Sequence, residues 1–330
     1  MPYWGHVYSI PEAEMMLATF AGAEGRALPG YVDPDCEMIV DLQGQHRASF
    51  GTSNIAFESM QGLIEGGERV LDLVLRTVGA GSPEDAVTYP LSAVRLLPPV
   101  PVPRQIRGFS MCPPSSCARN DQRGSGAEAA TSSRELPQFH LANRFNVVGP
   151  DADVEWPTYA GGRLDCALKI GMVLGRGGRN IAPERARGHI FGYTIFNGFS
   201  AREERCRGAD ARSGAAKGKS FDTANVIGPW IVTADEIPDV RSLQATVRVN
   251  GEVRSRGSTA GMRHSFEDMI ALASRDETLH AGEFFASGVI GEAGGMEVDR
   301  WLRPEDVVEL EVSGIGVLRN RVVMHRRMSA

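Results

Sequence analysis

The residues Ile190-Phe191-Gly192-Tyr193-Thr194-Ile195-Phe196, followed at once by the polar Asn197-Gly198, limit what this chain can become more than any other stretch. An apolar, aromatic-rich run of this kind reads as a buried strand. It delivers the chain into a polar turn, then a charged segment, then a lysine flanked by small residues, Lys219. That is how a sheet presents chemistry at its rim.

Other segments agree with a sheet-based molecule. Between residues 164 and 175 the chain alternates, so that Leu164, Cys166, Leu168, Ile170, Met172 and Leu174 share one strand face. Asp165, Ala167, Lys169 and Gly171 share the other. The first face is expected to be core and the second to line a cavity. Residues 247–253 carry the Asn250-Gly251 hairpin signature, whose turn needs positive φ at both central residues. Phe266, Met269, Ile270 and Ala273 give one helix an apolar stripe that ends near Ser274. Val307, Val308, Leu310 and Val312, then Val317 and Leu318 after two glycines, read as a pair of closing strands. There is no βαβ repeat and no phosphate loop, so an α+β, β-rich fold is expected rather than a doubly wound one.

A chain of 330 residues has room for one large domain and a small one. Residues 1–100 are expected to form a small amino-terminal accessory domain. It would hold a strand at 36–42 and a helix at 67–78 with Val70, Leu71, Val74 and Leu75 on one face. The link Leu97-Pro98-Pro99-Val100-Pro101-Val102-Pro103 favours an extended connection, and residues 104–330 would form the main domain. Residues 121–135 are small, polar and without period. They cannot bury enough apolar surface to offset their ordering entropy, so a mobile loop is expected, either a lid or a plain surface loop.

A net charge of -6 and a pI near 5.7 disfavour nucleic acid or an anionic membrane as partner. No apolar run approaches the roughly 18 residues of a membrane span, and the amino terminus lacks the order of a signal peptide, so a cytoplasmic protein is expected. The five cysteines form no CxxC pair, which argues against a zinc site or a disulfide framework.

The stretch GHIFGYTIFNGFSAREERCRGADARSGAAKGKSFDT at 188–223 resembles the fumarylacetoacetate hydrolase family, whose members carry a run like GYTIxNDxSARDxQ…KGKSFDT at the same place. The likeness continues in IGPWIVTADEIPD (227–239), VNGE (249–252) and VELEVSGIGVLRNRV (308–322), and in LATF (17–20) and IVDL (39–42) of the amino-terminal part. The resemblance implies a mixed β-sandwich roll with a small accessory domain, assembled as a homodimer. It also implies chemistry on small 2-oxo or 1,3-dicarbonyl acids, with a divalent cation held by carboxylates.

This chain departs from the family at those carboxylates. The aspartate of NDxSARD is Gly198, the two glutamates of LDxExE are Ala167 and Lys169, and the aspartate of the RDF element is Gly108. The catalytic histidine after RDF matches Ser115. A methyl group cannot coordinate an ion and an ammonium repels one, so neither a metal nor another cofactor is expected. Lys169 is instead expected to stabilise a developing oxyanion in the place of an ion. Lys219 stands where relatives keep a substrate-contacting lysine. Two lysines near one pocket would depress each other's pKa, poising one as a base or a Schiff-base amine.

The remaining positions carried over by the resemblance are Glu297, which matches a glutamate that works with the catalytic histidine, and Arg205, which falls at a substrate-binding glutamine. Val289 takes the place of a threonine in the element Ser287-Gly288-Val289. His140 and Ser115 are the acid-base candidates left. Each reading has a plain alternative: Lys169 facing solvent or paired with Asp165 or Glu297, and Arg205 exposed on a helix. The expected function is metal-independent turnover of a small 2-oxo or 1,3-dicarbonyl acid through a lysine-stabilised enolate, by isomerisation, decarboxylation, cyclisation or carbon-carbon cleavage. The alternative is a catalytically silent relative that binds a ligand or partners an active subunit.

Overall fold

The computed structural model describes residues 14–22, 25–80, 87–110, 136–202, 217–291 and 300–324. The amino-terminal part contributes strands β1 (Met16–Ala21), β2 (Ala27–Asp33) and β3 (Met38–Asp41), helices α1 (Leu42–Phe50) and α2 (Met60–Gly79), then β4 (Thr88–Pro90) and β5 (Arg95–Leu97). Asp41 ends β3 and caps α1 by accepting the Gly44 N–H at 3.0 Å, and Ser59 caps α2 by accepting the Gly62 N–H at 3.1 Å; each satisfies an amide the helix leaves orphaned. The helix expected at 67–78 thus begins earlier than its apolar stripe. Gly67, at φ 57°, breaks α2 there with a conformation that side chains resist.

The rest of the chain supplies β6 (Ile106–Ser110), β7 (Gln138–Ala142), β8 (Val147–Val148), β9 (Asp153–Trp156), β10 (Leu164–Asp165), β11 (Leu168–Leu174) and β12 (Ile190–Gly198). There follow β13 (Ser200–Ala201), β14 (Asn225–Thr233), β15 (Gln244–Val249), β16 (Glu252–Ser258), the helix Phe266–Ala273, β17 (Phe284–Ala286), β18 (Val307–Val312) and β19 (Gly316–Met324). Among the described residues a 12-stranded sheet runs β4-β3-β2-β1-β14-β12-β11-β17-β6-β7, with β5 on β1 and β8 on β14. A 5-stranded sheet runs β16-β15-β18-β19-β9, and β10 pairs with β13. The fold is mixed α+β and rich in strand, as the sequence led one to expect. The amino-terminal strands belong to the large sheet, joined by Met16↔Val232 and Leu17↔Ile231.

The hairpin turn lies at Asn250 and Gly251, both with positive φ (54° and 78°), and the helix after Ser265 ends at Ser274. The alternating stretch at 164–175 is two strands rather than one. At its break the Ala167 N–H is taken by the Asn197 side chain at 3.0 Å instead of by a ladder partner.

The large sheet separates two cores. Leu168, Ile170, Met172 and Leu174 of β11 pack with Val247, Leu310 and Leu318 of the smaller sheet and with Phe266, Met269 and Ile270. On the opposite face Val173 packs with Phe284, Leu17 and the α2 residues Leu63 and Ile64. That face was expected to line a cavity. Along much of its length it is instead a second core, because α2 covers it. Gly171 lies there under the Phe284 ring, whose Cζ would stand 2.1 Å from a Cβ. Gly171→Ala is therefore expected to cost about 1–3 kcal/mol as overpacking, read as a lower denaturant midpoint with an unchanged slope.

One charged group is sealed into the sheet. Arg107 of β6 is 3% exposed and donates to Glu283, also 3% exposed, at 3.0 Å, and to Glu277 at 2.5 Å. Its guanidinium lies 5.2 Å from the Phe139 ring centroid and 5.9 Å from that of Phe285.

Candidate active site

Directly paired residues on neighbouring strands point to the same side of a sheet, and this places the residues of interest. Pairing runs Gly171↔Ala286 between β11 and β17, Ala286↔Gly108 between β17 and β6, and Gly108↔His140 between β6 and β7. In the other direction Lys169 pairs with Phe196 of β12. One face of five adjacent strands therefore carries Ala167, Lys169, Gly171, Phe196, Gly198, Ala286, Gly108 and His140. Its floor is mostly backbone, because five of these eight residues are glycine or alanine.

Lys169 points inward. It is 6% exposed, and its Nζ lies 3.5 Å from the backbone oxygen of Phe109, so the side chain reaches from β11 to the end of β6. The chain after β17 stays beside it: the Ser287 N–H donates to Ile170 O at 2.8 Å and the Ile290 N–H to Leu168 O at 2.9 Å. These two bonds bracket Lys169 and bring Gly288 and the half-buried Val289 alongside it. Ser287 locks that segment, its Oγ accepting from the Ile170 N–H at 3.0 Å and donating to Gly288 O at 2.8 Å. Asp165, considered above as a partner for Lys169, is 3% exposed and its Oδ2 accepts from Arg202 Nε at 2.9 Å and from a second guanidinium nitrogen at 2.5 Å.

Lys219 is half-buried in the turn before Ser220, which is tied to β13 by the Ala201 N–H donating to Gly218 O at 2.8 Å. That is the end of β12 that carries Gly198. His140 is exposed at the far side of the floor. Ser115, Arg205, Glu297 and the loop at 121–135 lie outside the described residues. What sequence reasoning missed is that Gly108 and His140 meet. Nothing local signals it, because the two are brought together only by the β6–β7 pairing.

A hard divalent cation does not fit the residues present. Gly108, Ala167, Lys169 and Gly198 offer no side-chain oxygen, and such ions need several. The space is also filled otherwise: a Cβ at 108 would stand 2.6 Å from His140 Cε1, and one at 198 would stand 3.0 Å from Phe196 Cε1. Among the described residues no three of His, Cys, Asp and Glu are grouped closely enough to hold an ion.

Cys166, next to the break between β10 and β11, is no nucleophile. Burial pushes its thiol from an ordinary 9.0 up to about 12, with the Asp165 charge adding to the shift. The thiol stays protonated in the folded protein while the unfolded chain releases its proton. Stability is therefore expected to be full below about 9 and to fall as pH rises from there toward about 12, with Cys166→Ala flattening that alkaline loss in denaturation curves.

Comparison with known proteins agrees with this architecture. Residues 115–323 match the family model described as fumarylacetoacetate (FAA) hydrolase, C-terminal. Oxaloacetate tautomerase YisK of Bacillus subtilis is 29% identical over 294 residues, covering 87% of this chain and 94% of its own. A mitochondrial oxaloacetate tautomerase of Homo sapiens is 29% identical over 269 residues, covering 81% of this chain and 80% of its own. Among solved structures, a fumarylacetoacetate hydrolase from Exiguobacterium antarcticum superposes with a TM-score of 0.71 at 26% identity, over 94% of this chain and 100% of that one. No helix among the described residues is long and apolar enough to cross a membrane.

Proposed function

The chain belongs to the fumarylacetoacetate hydrolase family of enzymes, and from that premise we propose that it isomerises a small 2-oxo or 1,3-dicarbonyl acid between keto and enol forms without a bound metal. The relatives named as oxaloacetate tautomerases make a 2-oxo dicarboxylic acid the first substrate to try. The observation that carries the reading is the buried ammonium of Lys169 at a position where the family keeps a metal-binding glutamate.

Loss of a proton beside a carbonyl places negative charge on the carbonyl oxygen. An ammonium fixed in a largely dry site stabilises that charge more than water would, and needs no reorganisation to do so. Lys169 supplies that charge at the enolate oxygen. Lys219, in the turn beside the end of β12 that carries Gly198, is the candidate for holding a substrate carboxylate. The same enolate precedes decarboxylation or carbon-carbon cleavage, so the substrate's leaving group decides which follows. A homodimer belongs to the same proposal.

The test is a panel of 2-oxo and 1,3-dicarbonyl acids, followed by ultraviolet absorbance of the enol. The expected result is catalysed interconversion of at least one acid, with a rate unchanged by chelator. Activity that chelator removes and manganese or magnesium restores would overturn the metal-independent reading, and silence across the panel would overturn the enzymatic one.

A further inference from the structure

Gly108 and His140 compete for one volume. They are partners on adjacent strands, and a Cβ at 108 would come within 2.6 Å of His140 Cε1, 2.9 Å of Nε2 and 3.3 Å of Nδ1. The imidazole thus lies against the bare backbone of β6, in space that any side chain at 108 would claim. On the next residue of β6, the Phe109 oxygen, rests the ammonium of Lys169 at 3.5 Å. Two functional groups, from β11 and from β7, converge on adjacent residues of β6.

We propose that His140 is the catalytic acid-base of this site, and that Gly108 is the residue that seats it. The proposal rests on the enolate chemistry above and adds the group that moves the proton. Neutral imidazole takes a proton from the carbon beside the substrate carbonyl: the C–H bond breaks, an N–H bond forms, and the electron pair passes through a new C=C bond to the oxygen facing Lys169. The imidazolium then gives that proton to the enolate oxygen, leaving the enol and neutral histidine. One proton changes place and nothing is oxidised or reduced. Imidazole titrates nearest to neutrality of the common side chains, which suits it to both halves of the transfer. An aspartate at 108 would exclude the ring, so an acid at 108 and an imidazole at 140 are alternative occupants of one place.

The test uses the full-length protein and the exchange of a 2-oxo acid's C3 hydrogens for deuterium in D2O, followed by proton NMR, which reads proton removal alone. His140→Ala is expected to slow exchange by about 10²-fold or more, and free imidazole to restore part of the rate. The Cβ at 108 meets the end of the His140 side chain and not backbone, so Gly108→Ala is expected to displace the ring with the sheet intact, and circular dichroism checks this. Gly108→Ala is expected to slow exchange in the otherwise unchanged protein but to add little when His140 is already alanine. Exchange within twofold of normal in His140→Ala, with Lys169→Met inactive, would overturn this proposal and leave the enolate reading standing. Normal exchange in both variants would overturn both. A loss in His140→Ala that imidazole does not relieve, together with additive effects of the two substitutions, would make His140 structural and also sink the proposal.

Discussion

Replacing Lys169 by methionine is expected to lower kcat/KM by about 10²–10³-fold while leaving the unfolding midpoint unchanged or higher. Methionine keeps an unbranched stem and discards the charge. The ammonium sits 6% exposed, with a backbone oxygen at 3.5 Å among its contacts, and a charge held out of water costs stability unless its partners offset that cost. A charge buried beside a candidate site reads as functional. If the ammonium acts on the enolate and not on the bound ketone, the loss falls on kcat more than on KM. A Lys169→Met protein that turns over within a few-fold of normal would remove the basis of the proposed chemistry.

Arg107→Ala is expected to destabilise the protein by about 3–5 kcal/mol, the largest effect on stability of any single change considered. It leaves the Glu283 carboxylate, 3% exposed, without its guanidinium partner, and opens a gap between the rings of Phe139 and Phe285. Adding Glu283→Gln should recover part of the loss, since the stranded charge is then gone. Urea titration of the two variants measures both steps, and a cost below about 1 kcal/mol for Arg107→Ala would show the pair to be replaceable. The consequence reaches the site, because Arg107 immediately precedes the residues that face His140 and Lys169. A loosened β6 would blur both, so some loss of activity is expected even where the variant remains folded.

Much of the scaffold was legible because its signals are local. The Asn250-Gly251 turn, the stripe from Phe266 to Ala273 and the closing strands each depend on residues a few places apart, and all stand where they were expected. Strand alternation put Lys169 on the face opposite Leu168 and Ile170, which face the core, but left open whether that face met solvent. What could not be read depends on distant partners. That α2 would cover the face holding Val173 is a matter of tertiary packing, and at the break the Ala167 N–H meets a side chain of another strand, Asn197. The seat of His140 required knowing that β7 pairs beside β6 in the sheet and in which register. Alternation places a residue on a face, but only the ladder says what lies beside it.

The pairing of β1 with β14 gives the proline link a meaning that its composition conceals. A chain cut at that link is expected to take partners from the large sheet: it would leave β14 without the neighbour that pairs with Ile231 and Val232, and bare that stretch of its edge. A fragment lacking residues 1–100 is expected to associate through that bared edge, which size-exclusion chromatography would read as a larger species than the full chain gives.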